Sequence, residues 1–77
     1  MATITARQIP TASAADTFAD YADELTRAHG RRVIQANYVP GRGLAVIETT
    51  GDNAAVTARI VQDLRVLFPA ASIDWLG

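Results

Sequence analysis

Few side chains in this chain of 77 residues could perform catalysis or bind an ion. His29 is the only histidine and there is no cysteine, so no metal cluster or nucleophile–base pair can be assembled around it. His29 falls at the end of a predicted helix, where the helix dipole favours a positive charge. A structural role for His29 is therefore the simpler interpretation.

A group of carboxylates forms the second candidate: Asp16, Asp20, Asp23 and Glu24. Their spacing matches neither a calcium-binding EF-hand loop nor a pair of catalytic carboxylates held in a cleft. A solvated helix face is the plain interpretation. The serines and threonines have no base to activate them. Since no nucleophile–base set, metal set or phosphate loop is complete, we expect no enzymatic activity, no cofactor and no metal.

Arginines could contact phosphates if the protein met nucleic acid, and the candidates are Arg7, Arg31, Arg32 and Arg42. Aromatic residues on which bases would stack are missing from the predicted open face of the sheet, so nucleic-acid binding is an alternative hypothesis only. The loop from Pro40 to Gly43 joins two predicted strands, whereas phosphate cradles join a strand to a helix. An exposed Arg42 at this turn remains a candidate contact residue.

Composition limits the class of protein. The chain makes one domain, residues 1–77, and so short a chain buries only about 60% of its unfolded surface. Self-association would stabilise it, which favours a homodimer. A net charge of −1 gives no overall basic field, and the seven basic residues are all arginine, as is typical of a GC-rich bacterial or phage genome. Without a signal peptide or a membrane span, a cytoplasmic location is expected.

The predicted elements are organised around a hairpin within Arg31–Thr50. Two segments rich in β-branched and aromatic residues flank the loop from Pro40 to Gly43, whose proline and glycines predict the turn. The loop predicts a register that pairs Val39 with Leu44, Tyr38 with Ala45 and Ala36 with Ile47.

This register divides the hairpin into two faces, because side chains alternate along a strand. The predicted inner face has no strongly polar group: Ile34, Ala36, Tyr38, Ala45, Ile47 and Thr49. The predicted outer face is Val33, Gln35, Asn37, Val39, Leu44, Val46, Glu48 and Thr50. Burying its amides and its carboxylate without partners would cost about 1–3 kcal/mol each, so we expect this face to lie in solvent.

The flanking segments complete the order β-α-β-β-α-β. They are a strand at Ala2–Ile9, a helix at Thr11–His29, a helix that follows Asp52 and ends at Phe68, and a strand at Ala71–Leu76. Ser13 is the predicted N-cap of the first helix, with Thr11 as the alternative, and Asp52 is that of the second. With right-handed crossovers, this order predicts a ferredoxin-like α+β two-layer sandwich. Its antiparallel sheet has strand order 4-1-3-2, and both helices lie on one face.

Several families share this arrangement, and their diagnostic residues are absent. Heavy-metal-associated domains need a CxxC motif, and RNA-recognition domains need aromatic residues on the sheet. ACT-type regulators pair sheets between chains, which nothing here forbids, so an ACT-like small-ligand sensor is a further alternative. No family is assigned, because a shared fold does not transfer function.

The main functional hypothesis is a small non-catalytic protein-interaction or regulatory module. It would bind itself or a protein partner through the open face of the sheet or a strand edge. Apolar groups exposed together usually mark a contact surface. The predicted contact residues are Val33, Val39, Leu44, Val46 and Arg42. The competing interpretation is an ordinary antiparallel sheet with one wet face.

Overall fold

The computed structural model describes residues 1–77 and has the predicted element order. The elements are β1 (Ala2–Arg7), α1 (Ala12–Ala28), β2 (Val33–Val39), a 3-10 helix (Pro40–Arg42), β3 (Leu44–Thr49), α2 (Ala54–Leu67) and β4 (Ser72–Leu76). The strands form one antiparallel sheet in the order β2-β3-β1-β4. The ferredoxin-like α+β fold and its strand order are therefore confirmed. Neither helix combines the length and the apolarity needed to cross a bilayer.

The core lies between the sheet and the two helices. Strand residues point into it at every second position, and helix residues reach it at spacings of three and four. Its largest apolar side chains are Ile4, Ile9, Ile47, Ile73, Phe18, Ile60, Val61 and Leu64. Phe68 packs edge-on against Phe18, with ring centroids 5.2 Å apart. The predicted inner face of β3 is confirmed, since Ala45, Ile47 and Thr49 are all buried.

A β-bulge at Ile34 corrects the predicted faces at the start of β2. Val33 lies opposite Thr49 and Gln35 lies opposite Glu48, so Ile34 is an extra residue in the ladder. Val33 packs against the buried cluster, and Ile34 is 54% exposed. The predictions that Ile34 points inward and Val33 outward are wrong, because one extra residue shifts the alternation by one position.

Beyond the bulge, the predicted register of the hairpin is confirmed. Val39 pairs with Leu44, and Ala36 pairs with Ile47. A short 3-10 helix forms the turn between the strands, and Gly43 ends it in the left-handed conformation, with φ of 58°. Proline followed by glycines therefore set the position of the turn, and the turn set the register of the pairs next to it.

Both helices begin at a different residue from the one favoured by the sequence. Thr11 caps α1, because its side-chain oxygen accepts a hydrogen bond from the backbone N–H of Ala14 at 3.1 Å. Asn53 caps α2 by accepting from the backbone N–H groups of the first turn. The prediction of Ser13 is wrong because Ser13 already lies inside α1, and Asp52 lies one residue too early. Serine, threonine, aspartate and asparagine all suit an N-cap, so the residue type cannot distinguish between nearby candidates. The path of the backbone into each helix selects the cap.

Candidate functional site

Three of the five predicted contact residues form one apolar cluster on the open face of the sheet. Val39 lies opposite Leu44, and Val46 is two residues further along β3, between Asn37 of β2 and Thr5 of β1. Val39 is 41% exposed, and Leu44 and Val46 are half-buried by their neighbours. We call Val39, Leu44 and Val46 the hairpin-end cluster, because they lie beside the turn between β2 and β3.

The other two predicted contact residues lie apart from each other. Arg42 is exposed at the last position of the 3-10 helix, next to the hairpin-end cluster in the chain. Val33 is at the far end of β2 and packs against the core, so it cannot belong to an open surface. Ile34 is exposed there instead. No glycine or other sequence signal marks the bulge that turns Val33 toward the core and Ile34 toward solvent.

The outer side of β2 is a free strand edge. β2 pairs only with β3, so the backbone groups on its other side have no strand partner. The segment VIQANYV has neither a charged residue nor a proline, which are the usual devices that prevent an edge from pairing with another chain. The opposite edge differs, because β4 carries Asp74, which forms an ion pair with Arg7 at 3.3 Å. The edge that is open to pairing is therefore β2.

A groove runs between α1 and β2 on the helix side of the sheet. It has a volume of about 70 Å³. Its lining residues are Ala15, Asp16, Ala19, Ala36, Asn37, Tyr38, Ala45 and Ile47. We call it the α1–β2 groove. Ala36 is exposed although it pairs with the buried Ile47. The α1 residues that line the groove with it are Ala15, Asp16 and Ala19, whose short side chains leave the edge strand uncovered. Sequence periodicity places Ala36 on the inner face but cannot reveal that it is uncovered.

Tyr38 anchors β2 to the chain before α1. Its hydroxyl donates a hydrogen bond to the backbone carbonyl of Ile9 at 2.8 Å, and its ring packs against the core. Trp75 also packs against the core. The two aromatic residues of the strands are therefore on the inner face, as predicted, and leave no aromatic platform on the open face.

Replacing Tyr38 by phenylalanine is expected to lower the free energy of unfolding by about 1 kcal/mol, because the Ile9 carbonyl loses its donor. Urea denaturation followed by circular dichroism measures the change. Tyr21→Phe is the matched control, since Tyr21 is 42% exposed, and it should change stability by less than about 0.5 kcal/mol. Equal effects of the two changes would mean that the Tyr38 hydrogen bond contributes nothing.

The arginines predicted for nucleic-acid contact do not form one surface. Arg31 is only 7% exposed and donates to the Thr57 hydroxyl and to the Asn53 carbonyl, each at 2.7 Å. The prediction of Arg31 as a phosphate contact is therefore wrong, because its guanidinium links the start of β2 to the start of α2. Arg7 forms a surface ion pair with Asp74 and stays exposed, and Arg32 and Arg42 are exposed beyond opposite ends of β2.

The carboxylates of α1 lie on its surface, as predicted. Asp16 and Asp20 are exposed and form no ion pair, and Asp23 pairs with Arg27 at 3.2 Å. His29 is exposed at the end of the helix. No three acidic or histidine side chains come close enough together to hold a metal ion.

Comparison of the chain with protein-family models, with curated proteins and with solved structures gave no match. The fold alone does not assign a function, because unrelated activities occur on the same architecture. The surfaces described above are therefore the basis for a functional proposal.

Proposed function

We propose that the protein is a small non-catalytic protein-interaction or regulatory module. It binds a partner protein, or a second copy of itself, through the free edge of β2 and the hairpin-end cluster beside it. The single observation that carries this proposal is the edge itself, an exposed strand of seven residues without charge or proline.

The physical basis of binding is strand addition. An extended segment that lies beside β2 forms main-chain hydrogen bonds with the backbone groups that have no strand partner, and side-chain pockets on either face add specificity. The hairpin-end cluster extends the contact, since Val39 belongs both to β2 and to the open face.

The alternatives receive less support from the same surfaces. Nucleic-acid binding needs several free arginines on one face, but Arg31 is buried and bonded within the chain, and Arg32 and Arg42 lie beyond opposite ends of β2. An ACT-like sensor needs a ligand site, and a groove of about 70 Å³ within one chain is small beside the roughly 300–1,000 Å³ of typical ligand pockets.

Three matched substitutions test the proposed surface. Ile34→Glu places a charge at the β2 edge, Val46→Glu places one in the hairpin-end cluster, and Val66→Glu places one on α2, where Val66 is 75% exposed. The first two changes are expected to weaken association by about tenfold or more, because a carboxylate would be desolvated at the contact. Val66→Glu should leave association unchanged.

Association is measured in two ways. Light scattering over a range of protein concentrations reports self-association, and quantitative co-purification from the native host reports a partner. Circular dichroism verifies that each variant remains folded. If all three variants associate like the wild type, or if Val66→Glu has the largest effect, the proposed surface is wrong.

A further inference from the structure

We infer that β2 binds an extended segment of another protein that carries arginine or lysine at alternate positions, with those basic side chains lying over the α1–β2 groove. This inference rests on the proposed function, and it names the chemistry of the partner. It follows from the charges around the groove and from the size of the side chains that line it.

The charge at the groove is negative and is not neutralised within the chain. Asp16 lines the groove, and Asp20 and Asp23 follow it at spacings of four and seven, so these three lie on one stripe of α1. We call them the acidic stripe. Asp23 pairs with Arg27, whereas Asp16 and Asp20 form no ion pair. No basic residue lines the groove.

The floor and walls of the groove suit a long basic side chain. Alternate side chains of an added strand point to the helix side of the sheet, where they lie next to Ala36 at the groove. The methylene stem of an arginine or lysine can pack on the alanines of the groove, while its charged head stays in water beside Asp16. The arrangement therefore combines main-chain pairing along β2 with an ionic contact at Asp16, and Asp20 lies one turn further along the same stripe of α1.

A second copy of the chain would fit this groove poorly. The only strand that it offers in a symmetric edge-to-edge pair is β2, which carries no basic residue for Asp16. The symmetric pair would also bring the two acidic stripes toward each other, where like charges repel. Charge complementarity therefore favours a basic segment from a different protein.

Synthetic peptides test the inference directly. The first probe is a peptide of about seven residues that alternates valine and arginine, long enough to pair along β2. The second probe has glutamate at every arginine position. Isothermal titration measures both affinities at low and moderate salt, and backbone amide shifts in nuclear magnetic resonance spectra locate the bound peptide.

The arginine peptide is expected to bind at least about tenfold tighter than the glutamate peptide and to shift the amides of β2 and of Ala15 to Ala19. Asp16→Asn should weaken binding of the arginine peptide about threefold, because one partly exposed ion pair is lost. Asp52→Asn is the matched control, since Asp52 is exposed and lies outside the groove, and it should have no effect. Ala36→Lys should abolish binding without unfolding the protein, because the new side chain fills the groove beside Asp16.

The contrary outcomes separate this inference from the proposed function. Equal affinities for the two peptides, with shifts confined to β2, would overturn the basic preference and keep the β2 edge as the binding site. Self-association through β2 without peptide binding would overturn the inference in favour of a second copy, and the proposed function would stand. If neither peptide binds and no association is sensitive to Ile34→Glu, both the inference and the proposed function are overturned.

Discussion

Replacing Phe18 by alanine is expected to lower the free energy of unfolding by about 3–5 kcal/mol. Phe18 is the largest fully buried side chain of the core, and its ring meets the ring of Phe68 edge-on at 5.2 Å. The alanine variant loses the burial of the ring and leaves a cavity between α1 and the sheet. A domain of this length has a total stability of about 4–12 kcal/mol, so much of its margin would disappear.

Urea denaturation and thermal melting measure this effect, and each lost kcal/mol should lower the melting temperature by about 4–8 °C. Tyr21→Ala is the matched control on the same helix. Its ring also meets Phe68 edge-on, at 5.8 Å, but it is partly exposed, so the expected cost is about 1 kcal/mol or less. Equal losses for the two variants would show that the ring contacts on Phe68, rather than burial in the core, determine stability.

Replacing Gly51 by alanine is expected to cost about 2–4 kcal/mol, although Gly51 is exposed. Gly51 has φ of +87°, a conformation that side chains disfavour by about 1–2 kcal/mol. An added Cβ would also lie 2.5 Å from the Nε atom of Arg31. The buried guanidinium would have to shift away from Thr57 and Asn53, and the loss of those hydrogen bonds accounts for the remaining cost.

Gly30→Ala isolates the backbone contribution to this cost. Gly30 has φ of +74°, and an added Cβ there meets nothing within 4 Å, so the expected loss is only about 1–2 kcal/mol. Urea denaturation of both variants measures the difference, which reports the displacement of Arg31. Combining Gly51→Ala with Arg31→Met should reduce the excess, because the methionine forms no hydrogen bonds that the Cβ could break. Identical losses for Gly30→Ala and Gly51→Ala would contradict the proposed role of Arg31.

These stability effects are separate from the surfaces proposed for binding. Phe18 and Arg31 are buried, whereas Ile34 and Ala36 on β2 and Asp16 on α1 are exposed. Substitutions at the exposed positions are expected to change stability by about 0.5 kcal/mol or less, apart from the Ile34 side chain, whose partial burial adds to the cost. Changes in binding at the β2 edge can therefore be measured on folded protein.

Features that depend on neighbouring residues or on general rules of chain connection could be predicted from the sequence. The proline and glycines from Pro40 to Gly43 set the turn, and the turn set the pairing of Val39 with Leu44. Alternation in β3 places Ile47 and Glu48 on opposite faces of the sheet. Ile47 takes the inner face, because burying the Glu48 carboxylate without a partner would be costly. The order of elements and right-handed crossovers then led to the observed sheet.

Features that depend on contacts between residues far apart in the chain could not be predicted, because those contacts form only in the folded protein. Alternation from the turn placed Ile34 inward, but Val33 is also apolar and β-branched and suits the core equally well. The bulge turns Val33 toward the core and leaves Ile34 exposed. Arg31 is buried because Thr57 and Asn53 accept its hydrogen bonds from across the fold. The exposure of Ala36, and with it the α1–β2 groove, follows from how little the alanines of α1 reach over β2. Such long-range contacts can outweigh the local conformational preferences of the residues, so the structure departs there from the pattern predicted by the local sequence.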